Sequence, residues 1–157
     1  MKILVMSDSH RSGSNLEKAI ESHPDAKEII FLGDGEDEIT NLSYIYTDRR
    51  FHIVAGNCDW GSMLPSTLTL HIGGKTIFAT HGHLFGVKDG TDRAAKSAKQ
   101  AGADVLLFGH THIAFTDYKD GLYIMNPGSI SSPRDFSSPS YGILEILPAG
   151  IITTIVR

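Results

Sequence analysis

The chain has 157 residues, 41% of them hydrophobic and 20% charged, with a formal net charge of -4 at pH 7. That length suits one domain over 1–157 with a sizeable core and excludes two comfortable ones, while the mildly acidic balance excludes a general basic field for gripping nucleic acid. The single cysteine, Cys58, excludes an intrachain disulfide and fits a reducing, cytoplasmic setting.

"ILVM" at 3–6 reads as a buried first strand, too short for a signal-peptide core or a membrane span. Ser14 followed by Glu17 has the spacing of a capping box, and Leu16, Ala19 and Ile20 then share one helical face. "EIIFLGD" at 28–34 is a second strand, after which Ile39, Leu42, Ile45 and Tyr46 repeat at helical spacing. "FHIVAGN" at 51–57 gives a third strand. This β-α-β-α-β order implies parallel strands with helical crossovers.

The second half alternates differently. "TLTLHI" at 67–72, the turn "GG" and then "KTIFATH" predict a hairpin. A small-residue helix is expected over 91–101, with Ala94, Ala98 and Ala101 on one side and Gly102 as its stop. "DVLLF" at 104–108 is another buried strand. "IAFTDY" and "LYIMN" flank "KDG", and "YGILEILPAGIITTIV" reads as two strands around a Pro-Ala-Gly turn. Parallel pairs followed by hairpins predict two mixed sheets packed face to face with helices outside.

Five of these strands end on metal-ligand residue types. The first delivers Asp8 and His10, the second Asp34, the third Asn57, the hairpin strand His81 and His83, and the strand at 104–108 His110 and His112. Each residue alone has a plain alternative: Asp8 or Asp34 could cap a helix, and Asn57 after glycine suits a turn. His52 and His71 lie within strand patterns and read as structural, and His23 as a helix-end residue. Coincidence is a poor account of the whole set, because strand carboxyl ends are where sites form in α/β sheets. Carboxylate with imidazole suits divalent manganese, iron, nickel, cobalt or zinc. No thiolate cluster exists for a structural zinc knot. A carboxylate shared by two ions holds them about 3.5 Å apart, and Asp34, alone after its glycine, is the candidate bridge.

In order along the chain stand "DSH" at 8–10, "GD" at 33–34, "GNCD" at 56–59, "HGH" at 81–83 and "GHTH" at 109–112, followed by "NPGS" at 126–129. This set resembles the calcineurin-like metallophosphoesterases, in particular their small bacterial and archaeal phosphodiesterase branch. The resemblance implies a four-layer α-β-β-α sandwich of two mixed sheets. It also implies a first ion held by Asp8, His10, His112 and Asp34, and a second by Asn57, His81, His110 and the shared Asp34, with manganese the first expectation. Hydrolysis of a small phosphodiester by a hydroxide shared between the ions would follow, with Asp34, Asn57 and His83 as the catalytic candidates.

Cys58 stands where the family usually carries histidine, and a neutral thiol is a weak proton donor. That favours diesters over monoesters and leaves Cys58 itself as small buried filler behind Asn57. Asp59 is a candidate for orienting Asn57 or a water, and Arg134 for clamping phosphate. Asn126 and Ser129 are candidates for a tight turn near the site, and Leu84 and Phe85 for its mouth. A phosphomonoesterase or nucleotidase using the same centre is the nearest alternative. A non-enzymatic scaffold like the retromer subunit of this fold is the next. Extended nucleic acid and membrane are not expected as partners; a homodimer is, on the family's habit alone.

Overall fold

A computed structural model describes residues 1–157. In chain order the elements are β1 (Lys2–Met6), α1 (Gly13–Ser22), β2 (Glu28–Phe31), α2 (Glu36–Ile45), β3 (Arg50–Ile53), β4 (Thr67–Ile72) and β5 (Lys75–Thr80). A single 3₁₀ turn at His83–Phe85 follows, then α3 (Asp92–Gln100), β6 (Val105–Leu107), β7 (Ala114–Lys119), β8 (Leu122–Pro127), β9 (Tyr141–Leu147) and β10 (Gly150–Val156). One sheet has the order β10-β9-β1-β2-β3 and the other β4-β5-β6-β8-β7. β1, β2 and β3 run parallel, as do β5, β6 and β8, and the hairpins β4–β5, β7–β8 and β9–β10 are antiparallel.

Strand alternation sorts the core into three layers. Ile3 and Val5 of β1 face the other sheet and pack with Ile77, Val105 and Leu107, whereas Leu4 and Met6 face outward onto α1 and α2. On the opposite flank Phe78 and Leu106 meet Ala94 and Ala98 of α3, whose small side chains let that helix lie close. The result is the expected α-β-β-α sandwich of two mixed sheets. No helix is long and apolar enough to cross a membrane.

Several local expectations fail for geometric reasons. Ser14 lies inside α1 rather than at its cap; Ser12 occupies that position, and no side chain caps the helix there. Ile45 is exposed, because six residues from Ile39 carries it roughly two-thirds of a turn off the buried face. Tyr46, one residue on, packs instead. Ala101 is exposed because α3 ends at Gln100. β2 and β3 also stop short of the glycines that follow them, so Asp34 and Asn57 stand beyond the ladder.

Candidate metal centre

β1, β2 and β3 from one sheet and β5 and β6 from the other present their carboxyl ends at a common edge, and the loops after them carry the ligand residues. Asp8, His10, Asp34, His110 and His112 all have φ between 40° and 67°. Left-handed backbone is uncommon for residues with a Cβ, and such strain persists only where the surroundings fix it. Here the surroundings do. Asp8 N–H donates to Gly33 O at 3.0 Å, His10 N–H to Asp34 O at 3.1 Å and Gly109 N–H to His81 O at 3.0 Å.

Asp8, His10, Asp34 and His112 offer ligand atoms that all lie within 4.8 Å of one another. Each aspartate gives one oxygen to the protein and one to the cluster. Asp8 Oδ2 accepts Ser7 Oγ–H at 2.6 Å and His110 N–H at 3.1 Å, while its buried Oδ1 has no donor. Asp34 Oδ1 accepts Cys58 N–H at 2.7 Å, leaving Oδ2 at 3.8 Å from His10 Nε2 and 3.5 Å from His81 Nε2.

The histidines are oriented from behind. His112 Nδ1–H donates to Ser132 O at 2.7 Å, so its Nε2 faces Asp8 Oδ1 at 3.1 Å and His10 Nε2 at 3.1 Å. His81 Nδ1–H donates to Leu32 O at 2.6 Å, turning Nε2 toward Asn57 Oδ1 at 3.1 Å and His110 Nδ1 at 3.2 Å. Asn57 Nδ2–H donates to Cys58 Sγ at 3.2 Å, which aims its oxygen inward. Such second contacts fix tautomer and direction in metal sites. Carboxylate oxygens and imidazole nitrogens converging this closely are what a cation satisfies, so these residues fit divalent metal.

The charges agree. Burial opposes ionisation of Asp8, but His112, His81 and Ser7 hold its carboxyl below the ordinary range. Burial likewise opposes a charged His112, yet Asp8 raises it above the usual histidine value. Burial, His81 and Lys88 push His110 down to about 4, leaving a neutral imidazole at physiological pH.

The remaining candidates divide. His83, in the 3₁₀ turn, puts its ring centroid 5.3 Å from that of His81, and its buried Nδ1 has no partner. Cys58 is exposed rather than buried filler, and partial desolvation of its sulfur together with the Asp34 carboxylate pushes the thiol up to about 11. Asp59 does not orient Asn57. Its Oδ2 accepts Asp34 N–H at 2.8 Å and Gly56 N–H at 2.7 Å, and its Oδ1 accepts Gly35 N–H at 2.9 Å and Glu36 N–H at 3.0 Å. Burial works against this carboxylate, but the four donors hold it below the usual range. Asn126 is buried; its Nδ2 donates to Gly109 O at 3.0 Å and Thr111 Oγ1 at 2.9 Å, clamping the loop of His110 and His112. Ser129 Oγ–H donates to Asp8 O at 2.7 Å. Arg134 reaches the site through its backbone N–H, on His112 O at 3.2 Å, with its side chain exposed.

Sequence reasoning missed Glu38, whose Oε1 accepts the backbone N–H of Arg11 and Ser9 Oγ–H. It also missed Trp60, one residue past "GNCD", which is 91% exposed and lines the cavity over the cluster. Only the position of Trp60 directly after a ligand block hinted at its place.

Comparison with known proteins fits this geometry. Residues 1–148 match the calcineurin-like phosphoesterase superfamily domain, and the chain belongs to that superfamily. It is 35% identical over 147 residues to the probable metallophosphoesterase YsnB of Bacillus subtilis (strain 168), covering 93% of this chain and 85% of YsnB. It is 28% identical over 175 residues to the phosphodiesterase YfcE of Escherichia coli (strain K12), covering 92% and 88%. The crystal structure of wild-type Vps29 complexed with zinc from Entamoeba histolytica superposes with a TM-score of 0.76 at 26% identity, covering 99% of this chain and 98% of that one. Fold, family and ligand cluster together define a metal-dependent phosphoesterase.

Proposed function

We propose that this chain is a dinuclear phosphodiesterase acting on small soluble diesters. In this reading Asp8, His10 and His112 hold one divalent ion, Asn57, His81 and His110 hold the other, and Asp34 is shared. The observation that carries it is the single oxygen Asp34 Oδ2 standing between His10 Nε2 at 3.8 Å and His81 Nε2 at 3.5 Å. Manganese suits this mixed carboxylate, amide and imidazole set. Ions bound there supply Lewis-acid charge and lower the pKa of coordinated water.

The protein's own groups do the rest. Asp59 and Asn126 fix the two ligand loops, so the charge that stabilises the transition state is positioned before substrate arrives. His83, its ring centroid 5.3 Å from that of His81, is the residue left for proton exchange with phosphate or the departing alcohol. Cys58, a neutral thiol, is a weak donor there, which supports substrates whose alcohol leaves without strong acid assistance. The phosphodiesterase activity named for YfcE supports the diester class. A scaffold role, which the likeness to Vps29 would favour, gives no reason to bury a donorless carboxylate oxygen at Asp8. The test is turnover of matched mono- and diesters by demetallated protein reloaded with manganese. Metal-dependent diester hydrolysis, abolished in folded Asp34→Asn and His81→Ala variants, supports the reading. Monoester preference, or unchanged activity in those variants, defeats it.

A further inference from the structure

The turn after β1 carries a residue that the ligand cluster does not explain. Ser12 N–H donates to Ser9 O at 2.8 Å, so His10 and Arg11 are the central pair of a tight turn, with φ of 40° and 73°. Turns with positive φ at both central positions are dominated by glycine, asparagine and aspartate. His10 stands there as a member of the cluster. Arg11 does not belong to the cluster, and glycine would take its backbone conformation at no steric cost. Glu38 Oε1 accepts the Arg11 backbone N–H and holds the strained turn in place.

What that turn presents is a guanidinium without a partner in the chain. Arg11 is exposed, only its backbone N–H enters a hydrogen bond, and it takes part in none of the ion pairs. It lines the open cavity of about 650 Å³ that also holds His10, Asp34 and Cys58, and no other lysine or arginine does so. The carboxylates of Glu36, Asp37 and Glu38 on the same walls lie in the first turn of α2, where the helix dipole accounts for them. Nothing in the packing accounts for Arg11. A guanidinium is permanently charged, and its fork of N–H groups matches two phosphate oxygens at once. Resting on the diesterase reading above, we infer that Arg11 clamps the scissile phosphate, donating to its non-bridging oxygens. Negative charge builds on those oxygens in the transition state, so the clamp tightens as the reaction proceeds. Arg11 exchanges no proton. Water adds its oxygen to phosphorus, the P–O bond to the alcohol breaks, and a proton from that water ends on the departing alkoxide.

The test uses manganese-loaded protein with two probes: bis(4-nitrophenyl) phosphate, whose alcohol leaves without acid assistance, and inorganic phosphate. Arg11→Gly and Arg11→Gln should each lower kcat/KM for the diester about 10- to 100-fold, with kcat carrying most of the loss. Both should weaken inorganic phosphate about tenfold in calorimetric titration. Arg11→Lys, which keeps the charge and loses the fork, should fall between. Manganese affinity should stay within about twofold in all three, because Arg11 contributes no ligand atom. Arg11→Gly should unfold at no lower temperature than the unaltered protein, since glycine adopts a φ of 73° without strain. Added guanidinium ion should raise Arg11→Gly turnover about fivefold, at concentrations that leave the unaltered protein unaffected, by occupying the vacated place. A residue that merely shaped the turn would show no such rescue. Unchanged kcat/KM or unchanged phosphate affinity in both Arg11→Gly and Arg11→Gln overturns the assignment while diester turnover persists. A loss that follows manganese affinity, or that guanidinium does not relieve, overturns it too. No diester turnover by the unaltered protein removes the diesterase reading itself, and this assignment with it.

Discussion

Asp59 Oδ2 accepts the backbone N–H of Asp34 at 2.8 Å, so one carboxylate anchors the loop from which the other reaches the ligand cluster. The same side chain takes the N–H groups of Gly35 and Glu36 at the start of α2, where Gly35 has no side chain to cap with. It thus serves as a helix cap supplied from a distant loop.

Replacing Asp59 with alanine leaves four backbone donors without their acceptor. The expected cost is roughly 3 kcal/mol of stability in urea unfolding, with metal affinity lowered about 10- to 100-fold. Asp59→Asn, which keeps one acceptor oxygen, should fall between. Unaltered metal affinity in a destabilised Asp59→Ala protein would separate the cap from the site.

Asn126→Asp tests the clamp on the other ligand loop. The substitution keeps the acceptor for Gly128 N–H but sets a carboxylate oxygen against the carbonyl of Gly109, while the Thr111 hydroxyl must turn from accepting to donating. A loss of about 3 kcal/mol is expected. Metal binding through His110 and His112 should weaken more than binding through the remaining ligands, as read by calorimetric titration.

At Gly56 the backbones of two ligand loops come into close contact. A Cβ there would stand 2.5 Å from Asp34 N and closer still to Asp34 Oδ1. The backbone nitrogen cannot swing away, so Gly56→Ala must displace the Asp34 loop. Metal binding and turnover should drop at least tenfold while thermal unfolding stays cooperative, with a cost of about 1–3 kcal/mol.

His23 governs part of the stability profile below neutrality. Its Nε2 lies 3.0 Å from Tyr141 Oη, and burial followed by the nearby Lys2 charge lowers its pKa below 6.5. The unfolded chain therefore binds a proton that the folded one resists. Stability from this group is complete above about pH 6.5 and is lost as pH falls through the lower folded value. Denaturation of metal-free protein should show a shallower decline between pH 7 and pH 5 in His23→Gln than in the unaltered chain.

The layers and the ligand-bearing strand ends were legible in the sequence because both follow from local pattern: period-two apolar runs, then polar residues after a glycine. The groups that hold the ligands were not. Asp59 caps a helix that begins 23 residues before it, and Asn126 clamps a loop 15 residues back. Neither separation has a periodic signature. The backbone carbonyls of Leu32 and Ser132 that orient His81 and His112 carry no residue signal at all. Ser14 misled for the opposite reason: its spacing to Glu17 is right, but the cap position falls two residues earlier, at Ser12, and uses no side-chain cap.

The account turns on Asp34 serving two ions at once, and electron paramagnetic resonance of the manganese-loaded protein reads that most directly. It predicts the spectrum of a magnetically coupled manganese pair, replaced in Asp34→Asn by signals of uncoupled ions. Isolated-ion spectra from the unaltered, fully loaded and active protein would contradict it.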